Sequence, residues 1–198
     1  MSMQSAPSTP GGAGLPVEFD VEYAEARNRL TSCFRIILAI PHLIIRQVWQ
    51  YLANILSVIQ WFVILFTGKR NRGMWDLQQG WMGYNARVSA YTGLMSDPYP
   101  AIGTTAGPQE RVRYGLQFTE EANRLTCALR LLWIIPAAII AFFVTIGVFA
   151  VTVVSWFAIL LTGKHPRGMF DFMVRGNRFV LQVTAYGMLM TDAYPKFQ

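Results

Sequence analysis

Residues 61–76 read WFVILFTGKRNRGMWD, and residues 156–171 read WFAILLTGKHPRGMFD. Each copy is an apolar run that stops in a basic, glycine-punctuated turn and restarts with an aromatic residue and an aspartate. The copies lie 95 residues apart. Sliding the chain on itself by that distance aligns Asn28–Pro100 with Asn123–Pro195 without a gap, with 29 identities in 73 positions. Agreement of that density over so long a stretch is the mark of a tandem duplication. It divides the chain into a tail (1–16), a first repeat (17–102), a linker (103–111) and a second repeat (112–198).

Within each copy the turn is the fixed point. Gly68 and Gly163 stand where a helix stops in a left-handed residue. Asp76 and Asp171 are expected in the first turn of the next helix, where a carboxylate suits the helix dipole. Upstream, residues 131–163 contain no charged side chain, and about 20 apolar residues suffice to cross a bilayer. Pro41 and Pro136 interrupt the apolar runs, and proline breaks or kinks a helix interior. The reading is therefore an amphipathic interfacial helix around 26–40 and 121–135, then a span over 42–66 and 137–161. Returning helices over 74–95 and 169–190 are also long enough to cross. The expected fold is an all-α membrane protein with four transmembrane helices, arranged as two tandem helical hairpins with interfacial amphipathic helices.

Each repeat opens on period-two alternation. Val17, Phe19, Val21 and Tyr23 alternate with Glu18, Asp20 and Glu22, and Val112, Tyr114, Leu116 and Phe118 occupy the matching places. Such alternation predicts half-buried strands. The first is acidic and the second carries Arg111 and Arg113, which favours pairing across the two. A small extramembrane β element follows, the alternative being two extended linkers that never pair.

Composition points the same way. The chain is 53% hydrophobic and 14% charged, against roughly 25% charged in an average soluble domain. Its net charge is +6, but the basic residues flank apolar runs instead of forming a block on a polar face. That placement suits anionic headgroups and argues against nucleic acid. The headgroup candidates are Lys69, Arg70, Arg72, Lys164 and Arg167. Cys33 and Cys127 read as free thiols without metal-type spacing. Residues 1–16 have neither a basic nor an apolar signal region, so they read as a disordered tail, and the first span serves as the insertion signal. The distribution of Lys and Arg leans towards cytoplasmic termini.

The first repeat differs from the second in one informative way. Arg46, Gln47, Gln50, Asn54, Ser57 and Gln60 recur at steps of three and four, on one helical face, where the second repeat is much drier. Intramembrane amides need a partner. The stripe, with Arg87 on the returning helix, is either glue within the bundle, a contact face for another integral membrane protein or a second copy, or a wet path. His42 and His165 each occur in one repeat only, and no catalytic, phosphate-binding or dinucleotide motif is present. The leading expectation is a non-enzymatic accessory or scaffold subunit of a membrane complex, without cofactor. The competing class is a transporter or channel-like protein, and a third is a lipid-organising protein.

The strings TGKHPRGMFDF (162–172) and TDAYP (191–195) resemble a bacterial integral-membrane family catalogued only as a domain of unknown function, whose unit occurs once or twice per chain. The resemblance spans residues 17–198. KRNRGMWDL in the first repeat departs from it by lacking the proline after the lysine. The resemblance implies a bacterial membrane location and supplies no activity or catalytic residue; the spans and basic turns themselves point to a multi-pass protein of the inner membrane with membrane lipids as partners.

Overall fold

A computed structural model describes residues 17–105, 107 and 110–197. The expected tail (1–16) and the middle of the expected linker lie outside the described residues. The elements run β1 (Val17–Val21), α1 (Arg29–Thr67), α2 (Arg72–Thr92), β2 (Val112–Leu116), α3 (Arg124–Ala128), α4 (Arg130–Thr162) and α5 (Arg167–Gly187). The repeated strings do local work at the helix ends. Asn28 and Asn123 cap α1 and α3, each side-chain oxygen accepting two backbone N–H groups, which satisfies donors a helix start leaves open. Gly68 and Gly163 end α1 and α4 at φ 74° and 75°, where glycine carries no Cβ penalty. Thr67 and Thr162 Oγ1 then accept the Lys69 and Lys164 amides, which tightens each turn.

The strands pair antiparallel, with Phe19 opposite Tyr114 and Asp20 opposite Arg113. The alternation in β1 is complete, with Val17, Phe19 and Val21 buried between exposed Glu18 and Asp20. The inner face of this two-stranded sheet rests on α2 and α5. Arg178, midway along α5, donates to the Phe19 carbonyl, and Phe118 meets Trp75 of α2 edge-on at 5.2 Å. On their other side α2 and α5 pack against α1 and α4. Three layers result: sheet, α2 with α5, and α1 with α4. Gly176 of α5 lets the last two layers close, since a Cβ there would stand 2.5 Å from Val148 Cγ2.

The long helices run antiparallel. Trp61, near the end of α1, donates to the Cys127 carbonyl in α3, just before α4 begins, and Trp156, near the end of α4, donates to the Ser32 carbonyl at the start of α1. The two basic turns therefore lie at opposite ends of the molecule. Each is bridged to the segment that leads into the other repeat's first helix, by Lys69–Glu120 and Lys164–Glu25, both at 2.8 Å.

Three expectations are corrected. Among the described residues two helices, α1 and α4, are long and apolar enough to cross a membrane, not four. In α2 and α5, Gln78, Arg87 and Gln182 are buried among the neighbouring layers, so their apolar residues are diluted by polar ones that bond inside the fold, Gln78 donating to Ser57 and Gln182 accepting from the Lys196 amide. Nor does proline break the first helix. Pro41 lies inside a continuous 39-residue α1. Proline in a helix interior costs about 3 kcal/mol, and anchors on both sides hold the helix together: Arg35 donates to the Tyr91 and Ser96 carbonyls, and His42 Nδ1 lies 2.7 Å from the Tyr84 hydroxyl. In the second repeat the break falls at Leu129, well before Pro136. Finally, Asp76 and Asp171 sit beyond the first turn, where each pairs with the arginine four residues earlier, Arg72 or Arg167.

Candidate functional site: a polar pit in an apolar face

The most strongly built polar features are two related clusters, one at each end of the molecule. At one end Asp97 receives Arg35 and Arg27; at the other Asp192 receives Arg130 and Arg70. The four guanidinium side chains are 3% exposed or less. Arg35 lies 4.6 Å over the Tyr91 ring and Arg130 4.0 Å over the Tyr186 ring. The first arginine of each pair sits at matching positions of the repeats, but the second does not. Position 27 corresponds to Ala122, and position 70 to His165. Each cluster thus gains its second cation from a different segment of the first repeat. Arg27 donates to the Met95 carbonyl and Arg70 to the Leu189 carbonyl.

Those carbonyls belong to the caps of α2 and α5. Leu94 and Leu189 stand at φ 61° and 62°, a conformation costing a non-glycine residue roughly 1–2 kcal/mol. Both leucines are buried, which returns about as much in apolar burial. The Met95 and Met190 amides close the cap onto the Ala90 and Ala185 carbonyls. The Asp192 carboxyl is opposed by burial, but the hydrogen bond and charge of Arg70, the Asn123 amide and Arg130 outweigh it and hold the group below its ordinary value. Burial, with Arg27 and Arg35 nearby, pushes His165 down to about 4. In these clusters, which close the fold, Arg27, Arg35 and Arg130 bond through their terminal guanidinium nitrogens, while their Nε has no hydrogen-bond partner among the described residues.

The open chemistry lies on the side away from the sheet. The most apolar stretches of α1 and α4 are only 17% and 6% buried. Leu131, Ile139, Phe142, Ile146, Phe149 and Leu161 of α4 are each at least half exposed, and Phe34, Ile44, Tyr51, Ile55 and Phe66 of α1 match them. Between the two helices runs an apolar cleft of about 660 Å³, from Arg35 and Trp156 to Arg46. At its Arg46 end it meets a polar pit of about 250 Å³, lined by Arg46, Gln47, Gln50, Asn85, Ser89, Thr145 and Asn177.

The sequence profile of a domain of unknown function, DUF4389, matches residues 29–102 and again 124–198. The chain belongs to the DUF4389 family. No curated protein and no solved structure matches it. The two matches coincide with the helical parts of the two repeats, and each DUF4389 unit supplies one long apolar helix and one shorter buried one.

The DUF4389 units distribute the sequence candidates over several environments. Arg46, Gln47 and Gln50 line the pit. Farther along the same face, Gln50 donates to Asn54, and Ser57 accepts from Gln78 of α2. Gln60 is buried, with neither amide atom bonded among the described residues. Arg87 points to the other side of α2, paired with Glu110 at 3.4 Å and donating to the Gly103 carbonyl. Of the basic turn residues, Arg70 is the inward-facing one described above. Lys69, Arg72, Lys164 and Arg167 are exposed, each beside a carboxylate.

Sequence reasoning missed Asn85, Ser89, Thr145 and Asn177 as pit residues because they come from three different helices, and only the antiparallel packing assembles them. It also placed Arg35 and Arg130 among interfacial residues. The signal that could have found their partners was Asp97 and Asp192, which recur at the same spacing of 62 residues from them.

Proposed function

We propose that this protein is a non-enzymatic, lipid-organising protein of the bacterial inner membrane that lies within one leaflet, its α1/α4 face in lipid and its sheet in water. The layer order carries the reading. Exposed apolar side chains gather on α1 and α4, whereas Glu18, Asp20, Glu22, Arg111 and Arg113 are exposed on and beside the sheet. The sheet lies across the middle of α2 and α5. If α1 and α4 stood upright in a bilayer, those charges would sit near its centre, at about 3 kcal/mol each. The outer edges of both strands would also face hydrocarbon, which open edges do not do. At 39 and 33 residues, α1 and α4 are about 58 and 50 Å long, well beyond a hydrocarbon core of about 30 Å. Lying flat, with one apolar face buried, removes all three conflicts.

The net charge of +6 favours an anionic leaflet. Exposed ion pairs such as Lys69–Glu120 are weak, so Lys69, Arg72, Lys164 and Arg167 remain available to phosphates. Flotation with liposomes tests this reading. Binding should be stronger to vesicles containing anionic phospholipid, and it should survive molar salt because apolar insertion holds it. The same proteoliposomes should pass no ions. Release by salt or a steady ion flux would reject the proposal. The exposed Gln50–Asn54 pair keeps an accessory-subunit reading second, supported by any membrane partner that co-purifies and buries it.

A further inference from the structure

Arg46 is the one half-buried arginine of the α1/α4 face for which no ion pair or hydrogen bond is found among the described residues. Every arginine of the two end clusters is matched by an aspartate. At the position matching Arg46 the second repeat has Ala141, so the duplication does not require a cation there. A guanidinium drawn partly out of water without an anion is costly, and the usual remedy is an opposite charge with hydrogen bonds. Around it stand further side chains able to donate, Gln50, Asn85, Ser89 and Asn177, with no carboxylate in the pit. This is a receptor for an anion, and it opens at one end into an apolar cleft.

The cleft makes the anion an amphiphile. It is lined by Ile36, Leu43, Val148, Phe149, Val153 and Trp156, and its volume falls in the usual range of ligand pockets, about 300–1,000 Å³. We infer that the pit and cleft together bind one anionic phospholipid, with its phosphate on Arg46 and an acyl chain between α1 and α4. Arginine suits the task because its fork offers two parallel charge-assisted hydrogen bonds to phosphate. The inference rests on the proposed function in one respect: the cleft opens on the face assigned to lipid. It goes further in naming a discrete site with a headgroup preference, where general insertion would be indifferent to any single residue.

The test uses the full chain in a neutral detergent, with native mass spectrometry counting retained lipid. Phosphatidylglycerol and phosphatidylcholine of matched chains are the probes. The wild type should retain one phosphatidylglycerol in preference to phosphatidylcholine by about tenfold or more, equivalent to about 1.4 kcal/mol. Arg46→Gln should lose the preference and Arg46→Lys should keep part of it. Val153→Trp should fill the cleft and lower retention of both lipids. Glycerophosphoglycerol, which has the headgroup without chains, should not compete. Equal preference in wild type and Arg46→Gln, or effective competition by the chainless headgroup, would overturn the site. Loss of flotation by the wild type would count against the leaflet reading, while the lipid count in detergent would still decide the site.

Discussion

Asp192→Asn should destabilise the protein by about 3–5 kcal/mol, the cost of leaving buried cations without their anion. Arg70 and Arg130 converge on this carboxylate, at 2.8 Å from Arg70, and their side chains are 1% and 3% exposed. The asparagine keeps the shape and removes the charge. Denaturation in detergent, followed by tryptophan fluorescence, measures the loss. Two comparisons make the result specific. Asp76→Asn breaks an exposed pair on the surface of α2 and should cost under about 0.5 kcal/mol. Adding Arg70→Gln to Asp192→Asn removes one of the stranded cations, so the double variant should lose less than the two single losses predict. Strict additivity would mean that the cluster is not an electrostatic unit.

Acid should weaken the fold in two steps, the first set by His165. Its folded value of about 4 lies below the ordinary histidine value of about 6.5. Between those values the unfolded chain binds a proton that the folded chain refuses, so stability falls as pH drops through that window and is complete above it. A displacement of this size corresponds to a loss of about 3 kcal/mol by pH 4. Asp192 acts lower. Its folded value is depressed, so its contribution is present above the ordinary carboxylate range and is lost only as pH falls through the lower folded value. His165→Gln should abolish the first step and leave the second. Unfolding free energies from pH 7.5 to about 2 check this, and an unchanged slope between pH 6.5 and 4 in His165→Gln would reject the assignment.

What could be read in the sequence is what is encoded locally. The glycine stops at 68 and 163, the strand alternation from Val17 to Val21 and the long apolar runs all depend on neighbours a few residues away, and the duplication shows in the sequence because it repeats those local patterns at a fixed offset. The pairing of β1 with β2 was legible because the charges of Asp20 and Arg113 oppose across the register. The orientation of α1 against α4 was not, because it is fixed by Trp61 and Trp156 reaching backbone carbonyls across the repeat boundary. The returning helices misled for a related reason. Their length suits a span, but Gln78, Arg87 and Gln182 belong to a core between two layers. The prolines misled because the cost of Pro41 is local, whereas the contacts that outweigh it come from α2. At the site, the stripe from Arg46 to Gln60 was visible at helical spacing. Its division into a pit, a bonded pair and a buried amide depended on α2, α4 and α5.

The central claim is that α1 and α4 lie within one leaflet, and depth measurement by spin labels tests it most directly. Leu131→Cys, Ile146→Cys and Leu161→Cys mark the two ends and the middle of the exposed face of α4. Each is labelled in a Cys33→Ser background, since Cys33 is exposed and Cys127 buried. In reconstituted liposomes, the relative access of oxygen and a polar relaxing agent reports the depth of each label. A helix lying flat gives all three similar, shallow depths in one leaflet, with Glu18→Cys on the sheet in water. Ile146 at the bilayer centre, with Leu131 and Leu161 at opposite surfaces, would contradict the account.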